Sequence, residues 1–143
     1  MTNQNFLSHL DSVADVLTSG GIYVLEMAHP RDVFDSGKSC ETSRKISKNK
    51  KMVEFIWGKD EDPFDSITQI TEVSVTIRHD RDGWLSEIHD QASQRCLSAN
   101  EFQALVEASG RFEIVDTLGS LDLRIPFNND KKSWRMVPIL KRL

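Results

Sequence analysis

The pair Gly20-Gly21, with what flanks it, constrains the fold more than any other feature of the chain. On its amino-terminal side, Phe6, Leu10, Val13, Ala14 and Leu17 recur at helical spacing, which predicts an amphipathic helix. Ser19-Gly20-Gly21 then supplies residues suited to ending a helix in a left-handed turn. Ile22-Tyr23-Val24-Leu25 follows at once, a continuous apolar run of strand length, as expected of a strand buried on both faces in a parallel sheet. Helix, tight turn and buried strand make half of an α/β unit. The strand runs into Glu26-Met27-Ala28-His29-Pro30, where polar groups appear and proline stops regular pairing. In open α/β sheets this carboxyl end is where ligands bind.

With 143 residues, one domain spanning 1–143 is the expectation. Residues 31–51 show no apolar periodicity and read as a flexible loop. Met52 to Trp57 reads as a strand and Gly58 to Asp65 as an acidic turn-rich loop. Ile70 to Arg78 alternates, and Asp80-Arg81-Asp82-Gly83 turns into Trp84 to Ile88, so residues 52–90 read as an antiparallel insertion. Ser98-Ala99-Asn100-Glu101 matches the capping box that opens a helix, whose apolar face is Phe102, Leu105 and Val106 and whose end is Gly110. Phe112 to Leu118 and Trp134 to Leu140 read as strands separated by a long loop. Pro138 implies a bulge or an unpaired position in the last of them.

Apolar residues make up 38% of the chain, and no run approaches the roughly 18 needed to span a bilayer. The amino terminus lacks the basic and apolar regions of a secretory leader, which makes the cytoplasm the default location. A net charge of −4 has the wrong sign for a surface that neutralises phosphates, so nucleic acid is not an expected partner. The basic stretch from Lys38 to Lys51 reads as a solvated loop. Cys40 and Cys96 are too few and too separated for a zinc site or a disulfide framework, and read as reduced thiols. His79 and His89 flank a turn with no further ligand at metal spacing, so no metal is expected.

Three segments together resemble the second half of the class I S-adenosylmethionine-dependent methyltransferase fold. HLDSVADVLTSGGIYVLEMAHP resembles the family's helix and Gly-Gly turn leading into its fifth strand. RCLSANEFQALVEASGRFEIVDTLG resembles its next helix and sixth strand, and SWRMVPILKR its seventh. The resemblance implies an α/β fold: a partial Rossmann-like sheet, fifth to seventh strands, with an antiparallel β insertion, completed by oligomerisation. The family binds its donor through a glycine-rich loop after the first strand and an acidic residue ending the second, and this sequence contains neither. In the family's sheet the strands run third, second, first, fourth, fifth, seventh, sixth. Ile22 to Glu26 would then present an edge that an absent fourth strand should cover, and such an edge is an association site.

The resemblance therefore implies a subunit of a split methyltransferase. S-adenosylmethionine would be bound by a complementary partner chain, with no cofactor expected for this chain alone. The alternative is a non-catalytic, methyltransferase-derived module that pairs with a second copy of itself. Glu26 and His29 stand where the family places substrate-facing groups, and can orient or deprotonate an acceptor or else serve the local backbone. Arg95 can hold a substrate carboxylate or pair with a neighbouring acid, the structural role being favoured. Trp57, with Trp84 and Trp134, is an apolar anchor first and a substrate wall second. No catalytic residue is assigned.

Overall fold

The computed structural model describes residues 1–34, 42–49, 51–81 and 83–143. In chain order its elements are α1 (Asn3–Val16), β1 (Ile22–Val24), β2 (Met27–Ala28), α2 (Pro30–Phe34), β3 (Thr42–Lys48), β4 (Lys51–Trp57), β5 (Phe64–Asp65), β6 (Ile70–Arg81), β7 (Trp84–Arg95), α3 (Ala99–Ser109), β8 (Phe112–Leu118) and β9 (Arg135–Arg142). The chain divides into two compact units where one was expected. The first is Met1–Arg31 with Cys96–Leu143, and the second is Asp32–Arg95. No helix among the described residues is long and apolar enough to cross a membrane.

In the first unit the last strand lies in the middle of the sheet. β9 pairs antiparallel with β1 and β2 along one edge and with β8 along the other. Phe6, Leu10 and Ala14 of α1 and Phe102, Leu105 and Val106 of α3 close over one face of this sheet, meeting Phe112, Met136 and Leu140 in a single core. Phe6 and Phe102 pack edge to face with ring centroids 5.8 Å apart, joining the two helices. Arg111 adds an ion pair to Asp15 at 2.5 Å, fixing the end of α1 beside the turn into β8.

Two expectations change here. The strand after Gly21 is antiparallel to its only described neighbour, and Ile22 and Val24 are each 52% exposed, so it is not buried on both faces. Its apolar run reflects one face on the core, through Tyr23, and one face open. Nor does glycine end α1: Leu17 is the cap in extended conformation, and the left-handed residue, Gly20 at φ 79°, serves the turn into β1. Pro138 sits in the central strand, opposite the break between β1 and β2. There its carbonyl accepts from Leu25 N and its missing N–H deprives no ladder partner. The bulge lies next to it in β8, between Ile114 and Asp116.

The second unit is an antiparallel sheet in the order β3, β4, β6, β7, with the short β5 lying beyond β4 on the same side of β6. Thr42–Lys48, inside the stretch read as a loop, is thus a strand, and the sheet extends to Arg95 rather than ending near residue 90. β3 has one apolar side chain, Ile46, which stands opposite Val53. It is held by backbone pairing that leaves no hydrophobic period to read. The register places Ile46, Val53, Phe55, Trp57, Ile77 and Ile88 on one face. The other face carries Glu54, Arg78 and Glu87, where Arg78 bridges both carboxylates at 3.3 and 2.7 Å. Buried Asp62 ties the loop after β4 to β6 by accepting from Lys59 N, Ser74 N and Ser74 Oγ. Residues 35–41, including Cys40, lie outside the described residues.

Candidate functional site

The break between β1 and β2 exists because β9 offers Pro138 there, and it turns Glu26 out of the ladder. Glu26 Oε1 lies 3.0 Å from Arg135 Nε, with both side chains partly open to solvent. The Arg135 guanidinium in turn sits 4.7 Å from the centroid of the half-exposed Trp134 ring. A carboxylate, a guanidinium and an indole thus form one patch at the carboxyl end of β1.

Gly119 and Ser133 set the position of that patch. The Gly119 carbonyl accepts from both Trp134 N and Arg135 N, at 2.8 and 2.9 Å. A Cβ on Gly119 would fall 2.3 Å from Ser133 Oγ and 2.6 Å from the Pro126 carbonyl, so only glycine fits. Ser133 is wholly buried, and its hydroxyl accepts from Asn128 N at 3.1 Å.

His29 is 2% exposed and packs on Phe127 with centroids 4.9 Å apart. Its Nδ1 accepts from Arg31 N at 3.2 Å and its Nε2 donates to the Asn128 carbonyl at 3.0 Å, so its partners select the neutral Nε2–H tautomer. Arg31 continues the same connection, donating to the carbonyls of Asn129 at 2.7 Å and Ser133 at 3.0 Å. The two side chains clamp the loop from Gly119 to Trp134 onto the end of β2. Both ring nitrogens of His29 hydrogen-bond to backbone.

Of the four candidates from sequence, Glu26 and His29 lie at the same end of β1 and β2 in the first unit. Trp57 and Arg95 belong to the second. Trp57 ends β4 and stacks on Phe55 with centroids 6.2 Å apart, while Arg95 ends β7 opposite Ile70. Sequence reasoning passed over Arg135, Arg31 and Gly119. The first is visible only once the register sets β2 beside the start of β9, pairing Ala28 with Arg135. Elsewhere in the unit, burial pushes the Cys96 thiol up, which keeps it protonated and unreactive. Burial likewise raises the Tyr23 phenol, whose oxygen lies 2.8 Å from His9 Nε2.

No family model matches the chain, and no curated protein sequence does. Among solved structures it is similar over 98% of its length to an S-adenosylmethionine-dependent methyltransferase from Clostridium acetobutylicum, with a TM-score of 0.71 and 11% identity. It is similar over 100% to an amino pentose methyltransferase from Micromonospora echinaspora involved in calicheamicin biosynthesis, solved with S-adenosylmethionine bound (TM-score 0.69, 14% identity). It is similar over 99% to a sugar N-methyltransferase from a Streptoalloteichus species (TM-score 0.63, 10% identity). At such identities the likeness is one of fold. The chain spans about half the length of these proteins, 52%, 52% and 50% respectively.

Proposed function

We propose that this chain is the acceptor-side half of an S-adenosylmethionine-dependent methyltransferase, and that the donor-binding half comes from outside these 143 residues. The strand order carries the reading. The last strand lies between, and antiparallel to, the strand after the Gly-Gly turn and the strand after the capped helix, and this order supports reading the three as the fifth, seventh and sixth strands of that family. The edge of β1 that has no partner among the described residues then falls where the family's fourth strand would pair. That the compared methyltransferases are about twice as long supports the same division.

The described residues do not fit the methyl donor. A dinucleotide-like cradle needs glycine turns that follow a strand and open a helix, bringing amides to the ligand. Here α1 opens at Thr2, α2 at Pro30 and α3 at Ser98. Among the described residues, the left-handed glycines Gly20, Gly58, Gly83 and Gly110 serve turns and one helix end. No step through the donor is assigned to this chain. Its own contribution is on the acceptor side: Glu26 accepts a hydrogen bond from an incoming hydroxyl or amine, Arg135 balances its charge, and His29 and Arg31 hold the loop that presents them.

Calorimetric titration of S-adenosylmethionine into the purified chain tests the assignment. No saturable heat is expected for the chain alone, and binding is expected after co-expression with an adjacent reading frame encoding a glycine-rich α/β half-domain. Stoichiometric binding by the isolated chain would refute the reading.

A further inference from the structure

Among the described residues the second unit carries two long sheet edges, and they are built differently. β3 is guarded by Arg44, Lys45 and Lys48, cations of the kind that keep an exposed edge from pairing. β7 is the opposite case: twelve residues paired with β6 without a bulge, containing neither lysine nor proline, and exposed from Trp84 to Gln91. Among the described residues it is paired on one side only. Trp84 is 84% exposed and Ile88 63%. A long, unbulged, partly apolar edge of this kind is a template for another strand.

We propose that β7 pairs antiparallel with β7 of a second copy of this chain, about a two-fold axis at Ile88. The strand's own sequence selects both the occupant and the register. Pairings that keep the sheet faces continuous set residues of like parity opposite one another. Centred on Glu87, the pairing would set two carboxylates face to face; centred on His89, it would set Ile88 against Asp90. Centred on Ile88, it sets Ile88 against its copy, Glu87 against His89 twice, Ser86 against Asp90 twice, and Trp84 over Ala92 twice. Glu87 and His89 are already complementary within one chain, with Oε2 and Nε2 3.4 Å apart. Arg78 in addition neutralises Glu87 from behind. A two-fold interface requires this self-complementarity, and donor-acceptor and apolar pairs across strands are what stabilise it. Trp84 and Ile88 of each copy would also extend the apolar face on which Phe55 and Ile77 lie. The proposal does not depend on the methyltransferase reading.

Sedimentation equilibrium of the full chain near 50 μM, in the range of affinities common for modest interfaces, should give about twice 16.3 kDa. Ile88→Lys sets two ammonium groups together at the axis and should weaken the dimer by about a hundredfold or more. Circular dichroism should remain unchanged, because Ile88 is exposed. In a Cys40→Ser background, Ile88→Cys should oxidise to a disulfide-linked dimer, since residues directly opposite in a sheet have Cα atoms about 4.5–5.5 Å apart. Ser86→Cys alone should not, its partner being residue 90. A monomeric wild-type chain, a dimer indifferent to Ile88→Lys, or cross-linking at Ser86→Cys in preference to Ile88→Cys would overturn the proposal. Should Ile88→Lys fail to fold, the cysteine pair alone decides. A strand from another protein on this edge would leave the purified chain monomeric and so also refutes self-pairing.

Discussion

At the scale of single residues, the most exacting positions are those where one atom serves several partners. Gly119 directs Trp134 and Arg135 through one carbonyl while leaving no space for a methyl group. Gly119→Ala should therefore cost on the order of 2 kcal/mol, as overpacking of a rigid neighbour does. It should also change the Trp134 fluorescence environment, measurable in a denaturant titration followed by emission. Asp62 gives a pH-dependent counterpart. Burial alone pushes its carboxyl upward, but hydrogen bonds from Ser74 and Lys59, with the nearby Lys59 charge, together hold it below the usual range. Because the folded value is the lower one, the stabilisation is present above the unfolded carboxylate pKa of about 3.9 and is lost as pH falls through the folded value. Asp62→Ala should lower stability by roughly 2 kcal/mol at neutral pH and flatten the acid limb of a Tm-against-pH profile.

At the scale of elements, α3 shows how much a local signal can determine. Ser98 Oγ accepts from Glu101 N at 3.2 Å, and Gly110 closes the helix at φ 61°. Ser98→Ala should cost about 1 kcal/mol, as should Gly110→Ala, the first through a lost cap and the second through left-handed strain. Thermal melts of the two single variants and the double should show near-additive losses, since the sites lie at opposite helix ends. α1, α3, β4, β6, β8 and β9 were legible because capping and periodicity act over a few neighbouring residues, whereas α2 (Pro30–Phe34) falls where the sequence reads as proline stop and loop. β3 was not, because seven residues with one apolar side chain carry no period, and pairing with β4 is a backbone affair. β1 misled for a related reason: an apolar run does not say which neighbour a strand has, and the neighbour present is antiparallel. The same limit applied at the site. Glu26 could be placed from its position after an apolar run, whereas Arg135, more than a hundred residues later, becomes its partner only through the β2–β9 register.

At the scale of the whole molecule, β1 and β7 each lack a strand partner on one side among the described residues, and the two proposals assign them separable associations. β1 offers three residues beside β9, with Ile22 and Val24 turned outward from the helices. An edge so short cannot hold a partner by itself and needs a second apolar layer, as a complementary half-domain would supply. β7 offers a long edge whose side chains answer one another by symmetry. Val24→Lys should thus abolish capture of a donor-binding half, read as loss of S-adenosylmethionine binding by the mixture, while leaving the dimer mass unchanged. Ile88→Lys should do the reverse. Because Val24 and Ile88 are both more than half exposed, at 52% and 63%, neither lysine removes core packing, and the two effects should be independent. Loss of both associations in either variant would mean that one surface serves both. Retention of donor binding in Val24→Lys would mean that the edge of β1 is not where the missing half joins.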